Sequence, residues 1–214
     1  MRRLAVEEFQ VADPPEAWTR AGFSLDADAV CRVGGVGIRL VGRDRGTGIV
    51  GWSLRGAPFD TSDVDGIATT TVPDGPPAPP PGRHSNGVVS VDHVVVFSPD
   101  LPRTLAALAG LGAHPRRERD GVLGGRPIRQ VFLRLGEVIV EVVGGAEAAG
   151  DGPATLWGLT FVVDDVEAAV AALGDRTSPV KEAVQPGRRI TTLRHDEFGM
   201  SVRTALISPP ILGS

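Results

Sequence analysis

One phrase is written twice in this chain. Ser90–Phe97 is a β-branched run carrying a single histidine, and behind it come Asp100 and then Leu101, Leu105 and Leu108 at helical spacing. Leu156–Val163 repeats the run, followed by Asp165, by Val166, Val170 and Leu173, and by Gly174. Each copy predicts a strand, an aspartate N-cap and a short amphipathic helix stopped by glycine, Gly110 or Gly112 in the first copy. Strict alternation puts Val91, His93, Val95 and Phe97 on one face of the first strand and Asp92, Val94 and Val96 on the other. Superposing Asp100 on Asp165 sets Gly158 where His93 stands, since both lie seven residues before the cap. A unit repeated in this way buries its open face against a copy of itself.

The residues after each phrase extend the repeat. Behind the first copy, Pro115–Asp120 reads as a charged strand, Gly121–Pro127 as a turn-rich loop, and Ile128–Leu135 and Val138–Val143 as strands joined at Gly136-Glu137. Behind the second, Val180–Val184 is a weak strand, and Arg189–Leu193 and Ser201–Ile207 are joined by the polar Arg194–Gly199. Both modules, residues 88–144 and 154–208, therefore have the order βαβββ, with Gly144–Pro153 as connector. Residues 1–72 form a third, βαβββ-like module. Its strand Leu4–Val11 is followed by a helix capped by Asp13, then by a hairpin about Gly34-Gly35 and a strand at Ile49–Leu54. The character changes from residue 57: Asp60–Asp65 is polar, and residues 73–87 are a proline-rich linker. No basic residue flanks the prolines before Arg83, so a spacer is preferred to a polyproline ligand.

Composition removes several function classes. The net charge is −4 over 214 residues, which gives no global electrostatic case for nucleic acid or an anionic membrane. No apolar run reaches transmembrane length. Glu7 and Glu8 interrupt the basic start before any signal-peptide core, so the expectation is a cytoplasmic protein. The single cysteine, Cys31, excludes an intrachain disulfide, fits a reducing compartment, and has no patterned histidine partner for nucleophilic work. Phosphate loops, Gly-x-Ser-x-Gly elbows and zinc-type Cys/His clusters are absent from the sequence.

Val91-Asp-His-Val-Val-Val, Leu135-Gly-Glu-Val-Ile-Val-Glu-Val-Val and Trp157-Gly-Leu-Thr-Phe-Val-Val-Asp-Asp, set in tandem βαβββ order, resemble the vicinal oxygen chelate superfamily. That superfamily includes glyoxalase I, bleomycin-resistance proteins and extradiol dioxygenases. The resemblance covers residues 88–208 well and 4–56 loosely. It implies an α+β fold of tandem βαβββ modules, whose curled mixed sheets form a cleft for a divalent metal that polarises a substrate oxygen. Its metal ligands come from the first and last strands of each module, here His93 and Glu141. The matching positions of the second module are Gly158 and Arg203, so the resemblance is to a degenerate member. A non-haem iron site needs about two histidines and a carboxylate.

Two functions are compatible with this resemblance. The first is a metal-free protein that binds a small organic ligand, anionic ones included, in the cleft through Trp157, Arg189 and Arg203. The alternative is a metal-dependent lyase or dioxygenase in which His93 and Glu141 hold a weakly bound divalent metal, or in which Glu141 is a general base. Against both stand plainer roles: a hydrogen-bonded strand histidine, a Glu141–Arg203 ion pair in the lost metal's place, an edge strand protected by arginines, and Trp157 in core packing. His195 and His114 are expected to face solvent, and His84 ends the linker. The unpaired third module implies either a homodimer built through it or a cap on the main pair.

Overall fold

The computed structural model describes residues 4–73, 75, 80–145 and 147–210. The chain runs β1 (Ala5–Val11), α1 (Pro15–Arg20), β2 (Val30–Val33), β3 (Val36–Leu40), β4 (Ile49–Arg55), β5 (Asp63–Val64) and β6 (Ile67–Val72). It continues β7 (Val88–Phe97), α2 (Leu101–Gly110), β8 (Arg117–Leu123), β9 (Arg126–Leu135) and β10 (Val138–Gly144). The last module is β11 (Thr155–Val163), α3 (Val166–Leu173), β12 (Lys181–Glu182), β13 (Arg189–Thr192), α4 (His195–Phe198) and β14 (Arg203–Ile207).

Both repeated phrases become strand, cap and helix. Asp100 accepts a bond from the Arg103 amide at the start of α2, and Asp165 accepts from the Glu167 and Ala168 amides at the start of α3. The two modules merge into one eight-stranded sheet, ordered β12-β13-β14-β11-β7-β10-β9-β8. β7 lies antiparallel to β11, and each has its own module's last strand parallel on its other side, β10 and β14 respectively. A pseudo-two-fold axis between β7 and β11 relates the halves. His93 faces Thr160 across the junction, and Val95 faces Gly158.

The junction is bulged, which corrects the simple alternation. Asp92 has no partner between the pairs Val91–Phe161 and His93–Thr160, and Trp157 has none between Leu156–Val96 and Gly158–Val95. Val91 is therefore buried in the core with Val94 and Val96 instead of sharing His93's face. The charged hairpin is also longer than the sequence suggests. β8 and β9 run through most of the expected 121–127 loop, and only Gly124-Gly125 turns, with φ of 56° and 79° as a two-residue hairpin requires.

The N-terminal elements follow the expected order, but their pairing differs. The six-stranded sheet is ordered β2-β3-β1-β4-β6-β5. β3 is parallel to β1, and β4, antiparallel to β1, opens a second half that has no helix and is completed by β5 and β6. Residues 57–72 thus supply two strands and not only a polar connection. Their Thr-rich sequence hides an alternation in which Ile67 and Thr69 point inward, and the Thr69 hydroxyl accepts a 2.8 Å bond from Trp52 Nε1.

The two sheets share one core. Phe23 sits 4.8 Å from Trp18 and 5.2 Å from Phe161, ring centre to ring centre, joining the N-terminal unit to β11. Asp13 does not cap α1, whose N-cap is Pro14. It is fully buried, and accepts from Trp18 Nε1 at 3.0 Å, from the Ser201 amide at 2.8 Å and from the Ser201 hydroxyl at 2.6 Å. The N-terminal module therefore caps the paired modules of its own chain. The C-terminal end of the linker is also pinned: His84 Nδ1 accepts from the Ser24 amide at 3.0 Å, and its Nε2 donates to the Arg32 carbonyl at 3.1 Å.

These two buried groups set measurable expectations. Asp13→Ala strands buried donors on Trp18 and Ser201, at about 1–3 kcal/mol for each, and its urea midpoint falls well below that of the wild type. Burial holds the His84 imidazole below its ordinary value, against the opposing effect of the Arg32 carbonyl bond. Because the folded value is the lower one, the linker contact contributes fully above the unfolded value of about 6.5 and is lost as pH falls through the folded value. Urea midpoints measured from neutral into acid should decline less steeply in His84→Gln than in the wild type.

Candidate ligand cleft

The larger space on the eight-stranded sheet is a cleft of about 770 Å³. β9 and β10 contribute Gln130, Phe132, Arg134, Ile139 and Glu141, and the opposite wall is residues 181–186 with Arg188 and Ile190. β8 adds Arg117 and Arg119, and His93 lies between the walls.

His93 and Glu141 do meet there. They reach the same face from neighbouring parallel strands, with His93 beside Ile139 and Glu141 beside Val95 in the ladder. His93 Nε2 is 3.6 Å from a Glu141 carboxylate oxygen, and Gln130 donates a short bond to the other oxygen. The Gln130 carbonyl in turn accepts from Arg119, at 2.9 Å from Nε and through Nη2 as well.

Behind the histidine stands Asp92, which the bulge releases from the ladder. Its carboxylate lies 2.8 Å from His93 Nδ1 and 2.7 Å from Arg188 Nη2. A carboxylate only accepts, so Nδ1 carries the proton and Nε2 is the nitrogen turned toward Glu141. Burial works against ionisation of Asp92, but the His93 bond and the Arg188 guanidinium outweigh it and hold the carboxyl below its usual range. Arg188 is itself buried, and donates its Nε to the Ser208 carbonyl at 2.9 Å.

The other expected site residues lie elsewhere. Arg189, one residue from Arg188, points away from the cleft and pairs with Glu167 on α3. Arg203 does not meet Glu141; its guanidinium stacks 5.1 Å over the ring of Trp157. Nor is Arg203 the counterpart of Glu141. Arg203 faces Gly158 as Ile139 faces His93, and the residue facing Thr160, as Glu141 faces Val95, is Ala205. Of the remaining histidines, His114 is exposed, but His195 starts α4 with its side chain only 16% exposed, in contrast to the expected solvent-facing position. Cys31 is fully buried, and burial together with the Asp26 charge pushes its thiol pKa up, away from nucleophilic use.

A divalent metal does not fit the side chains present. Only His93 and Glu141 of the four positions carry donors, and Gln130 already occupies Glu141. A side chain at Gly158 is barred by the backbone, since a Cβ there would lie 2.7 Å from the Arg203 carbonyl oxygen. Among the described residues, no three His, Cys, Asp or Glu side chains form a metal-binding group.

No protein-family model matches the chain, and no curated protein matches it. Solved structures do share its architecture. A triple mutant of 4-hydroxymandelate synthase from Streptomyces coelicolor aligns with 97% of this chain and 93% of that chain, at 14% identity and a TM-score of 0.62. A xylose isomerase-like TIM barrel/4-hydroxyphenylpyruvate dioxygenase fusion protein aligns over 98% of this chain and 49% of that chain, at 12% identity and a TM-score of 0.60. Methylmalonyl-CoA epimerase from Mycobacterium tuberculosis aligns with 58% of this chain and 90% of that chain, at 16% identity and a TM-score of 0.44. The first two of these structures share the α+β fold of this chain, with its curled mixed sheets and tandem βαβββ modules. No helix among the described residues is long and apolar enough to cross a membrane.

So poor a donor set should show in solution. Titration with Mn, Fe, Ni or Zn leaves the melting temperature unchanged, and the purified protein carries no stoichiometric metal. Near-stoichiometric metal that disappears in His93→Ala would refute this expectation.

Proposed function

We propose that this protein binds a small organic anion in the cleft, without a metal. The observation that carries this is charge. Arg116, Arg117, Arg119, Arg134, Lys181 and Arg188 line the cleft, against Glu141 and Glu182. Arg188 is neutralised by Asp92, and one oxygen of Glu141 is engaged by Gln130. Arg116 and Lys181 have no carboxylate partner among the described residues. A chain of net charge −4 that gathers cations in one concavity focuses a positive potential there, drawing in carboxylates or phosphates. Phe132, Ile139, Ile190 and Ile207 supply the apolar surface that an organic body needs.

A second function is favoured by one arrangement, the file of Asp92, His93 and Glu141. Asp92 fixes the imidazole, and Nε2 and the Glu141 carboxylate both face the cleft. In a metal-free enzyme, Glu141, oriented by the Gln130 amide, would take a proton from a bound acid, with the unprotonated His93 Nε2 beside it as a second acceptor. No substrate is implied by this geometry beyond the anion already proposed.

The test is a thermal-shift and calorimetric screen of organic carboxylates and phosphates, each beside its neutral amide or ester. Anions bind, with affinity falling as salt is raised, and their neutral isosteres do not. Removing Arg116 and Lys181 together weakens binding by about tenfold per cation. Equal binding of the neutral isosteres, or anion affinity untouched in the double variant, would overturn the proposal. His93→Ala separates the two functions, since pure binding survives it and turnover of a bound acid does not.

A further inference from the structure

The pseudo-two-fold axis gives the sheet a second concavity, and it is not a copy of the first. Where one half carries His93 and Glu141, the other carries Gly158 and Ala205. The space left is about 140 Å³, and none of its lining residues lines the cleft. It is close to the size of an engineered cavity of about 150 Å³ that takes one benzene ring.

Its wall is Trp157, the bulged residue of β11. The side chain is 43% exposed, unusual for a large aromatic, and it is propped by Phe97 with ring centres 4.9 Å apart. Arg203 lies over the indole and has no carboxylate partner among the described residues. Stacking therefore fixes the guanidinium in place while leaving its N–H fork unused, the preorganised state that suits a carboxylate. Val95, Thr160 and Ala205 add small or apolar surface, and Thr192 and His195 bring polar groups to the rim.

We propose that this pocket is a second small-molecule site, separate from the cleft. It takes the ring of a single-ring aromatic carboxylate against Trp157 and pairs the carboxylate with Arg203. The site goes beyond the function proposed for the cleft and does not depend on it.

Fluorescence gives a direct test. The chain has three tryptophans, and Trp18 and Trp52 are fully buried, so ligand-dependent quenching reports on Trp157. Benzoate, used as the probe, produces a saturable change. Benzamide, its neutral isostere, binds at least about tenfold more weakly, and Arg203→Gln weakens benzoate by a similar factor. Arg203→Lys, which keeps the charge but not the fork, falls between the two. Ala205→Leu fills the space and removes the signal. Should that variant fail to fold, as judged by circular dichroism, the exposed Arg203 variants carry the test. The cleft variant lacking Arg116 and Lys181 keeps the benzoate signal. No saturable change with benzoate, equal binding of benzamide, or an unchanged affinity in Arg203→Gln would each overturn the proposal. So would loss of the signal in the cleft variant, because it would put benzoate in the cleft.

Discussion

The pairing of β7 with β11 is the interaction on which the rest of the structure depends. Among the described residues it is the only ladder joining the two βαβββ modules, and its register decides which side chains meet at the centre of the sheet. A slip of one residue would exchange faces along a whole strand, turning His93 into the core and Val94 into the cleft. The buried valines on either side of His93 oppose that slip, because each is fully enclosed. The two bulges then set the chemistry. Freeing Asp92 gives His93 a buried carboxylate behind it, and freeing Trp157 exposes an indole on the other half.

Divergence of the halves has a steric cause as well as a chemical one. At Gly158 the neighbouring strand comes too close for any Cβ, so regaining a ligand there would require β14 to move and not merely a substitution. The hairpins differ too. β8 and β9 have 7 and 10 residues, whereas β12 and β13 have 2 and 4. The long hairpin carries arginines to one wall of the cleft, while on the short side the loop before β13 contributes Arg188. The result is one polar, cationic concavity and one small aromatic one on the same sheet.

Much of this was legible in the residues. Asp100 and Asp165 announced the helix starts, and their fixed distance to His93 and Gly158 matches the register of the folded pair. What failed was anything dependent on long-range pairing. Matching the last strands of the two modules in sequence selected Arg203, whereas the ladder with β11 selects Ala205. Alternation along 188–194 cannot say which parity faces inward; Arg188 does, just before the strand begins, and its partner Asp92 lies 96 residues away. Asp13 looked like a cap because Asp-Pro-Pro-Glu is a capping sequence, but the buried Trp18 and Ser201 donors claimed its carboxylate. β5 was missed because it is only the two residues Asp63-Val64, and β6 because threonines fill its centre where a strand usually shows valine or isoleucine.

The charges of the cleft form one connected line. Arg188 bonds Asp92, Asp92 bonds His93, His93 faces Glu141, Glu141 accepts from Gln130, and Gln130 accepts from Arg119. A lone Glu141 in a cationic cleft would repel an incoming anion and would itself be costly to bury. Bonded by the Gln130 amide, it becomes a fixed acceptor with one oxygen already engaged inside the protein. The cations on the line and those outside it are treated differently. Arg188 is buried and neutralised, so it serves the network, while Arg116 and Lys181 stand outside it with their charge unspent. An anion entering the cleft would therefore dock toward the cations without a carboxylate partner among the described residues, Arg116, Arg117, Arg134 and Lys181, with its uncharged body turned to Ile139, Ile190 and Ile207. That polarity of docking follows from which charges the fold has already satisfied, not from the number of arginines in the wall.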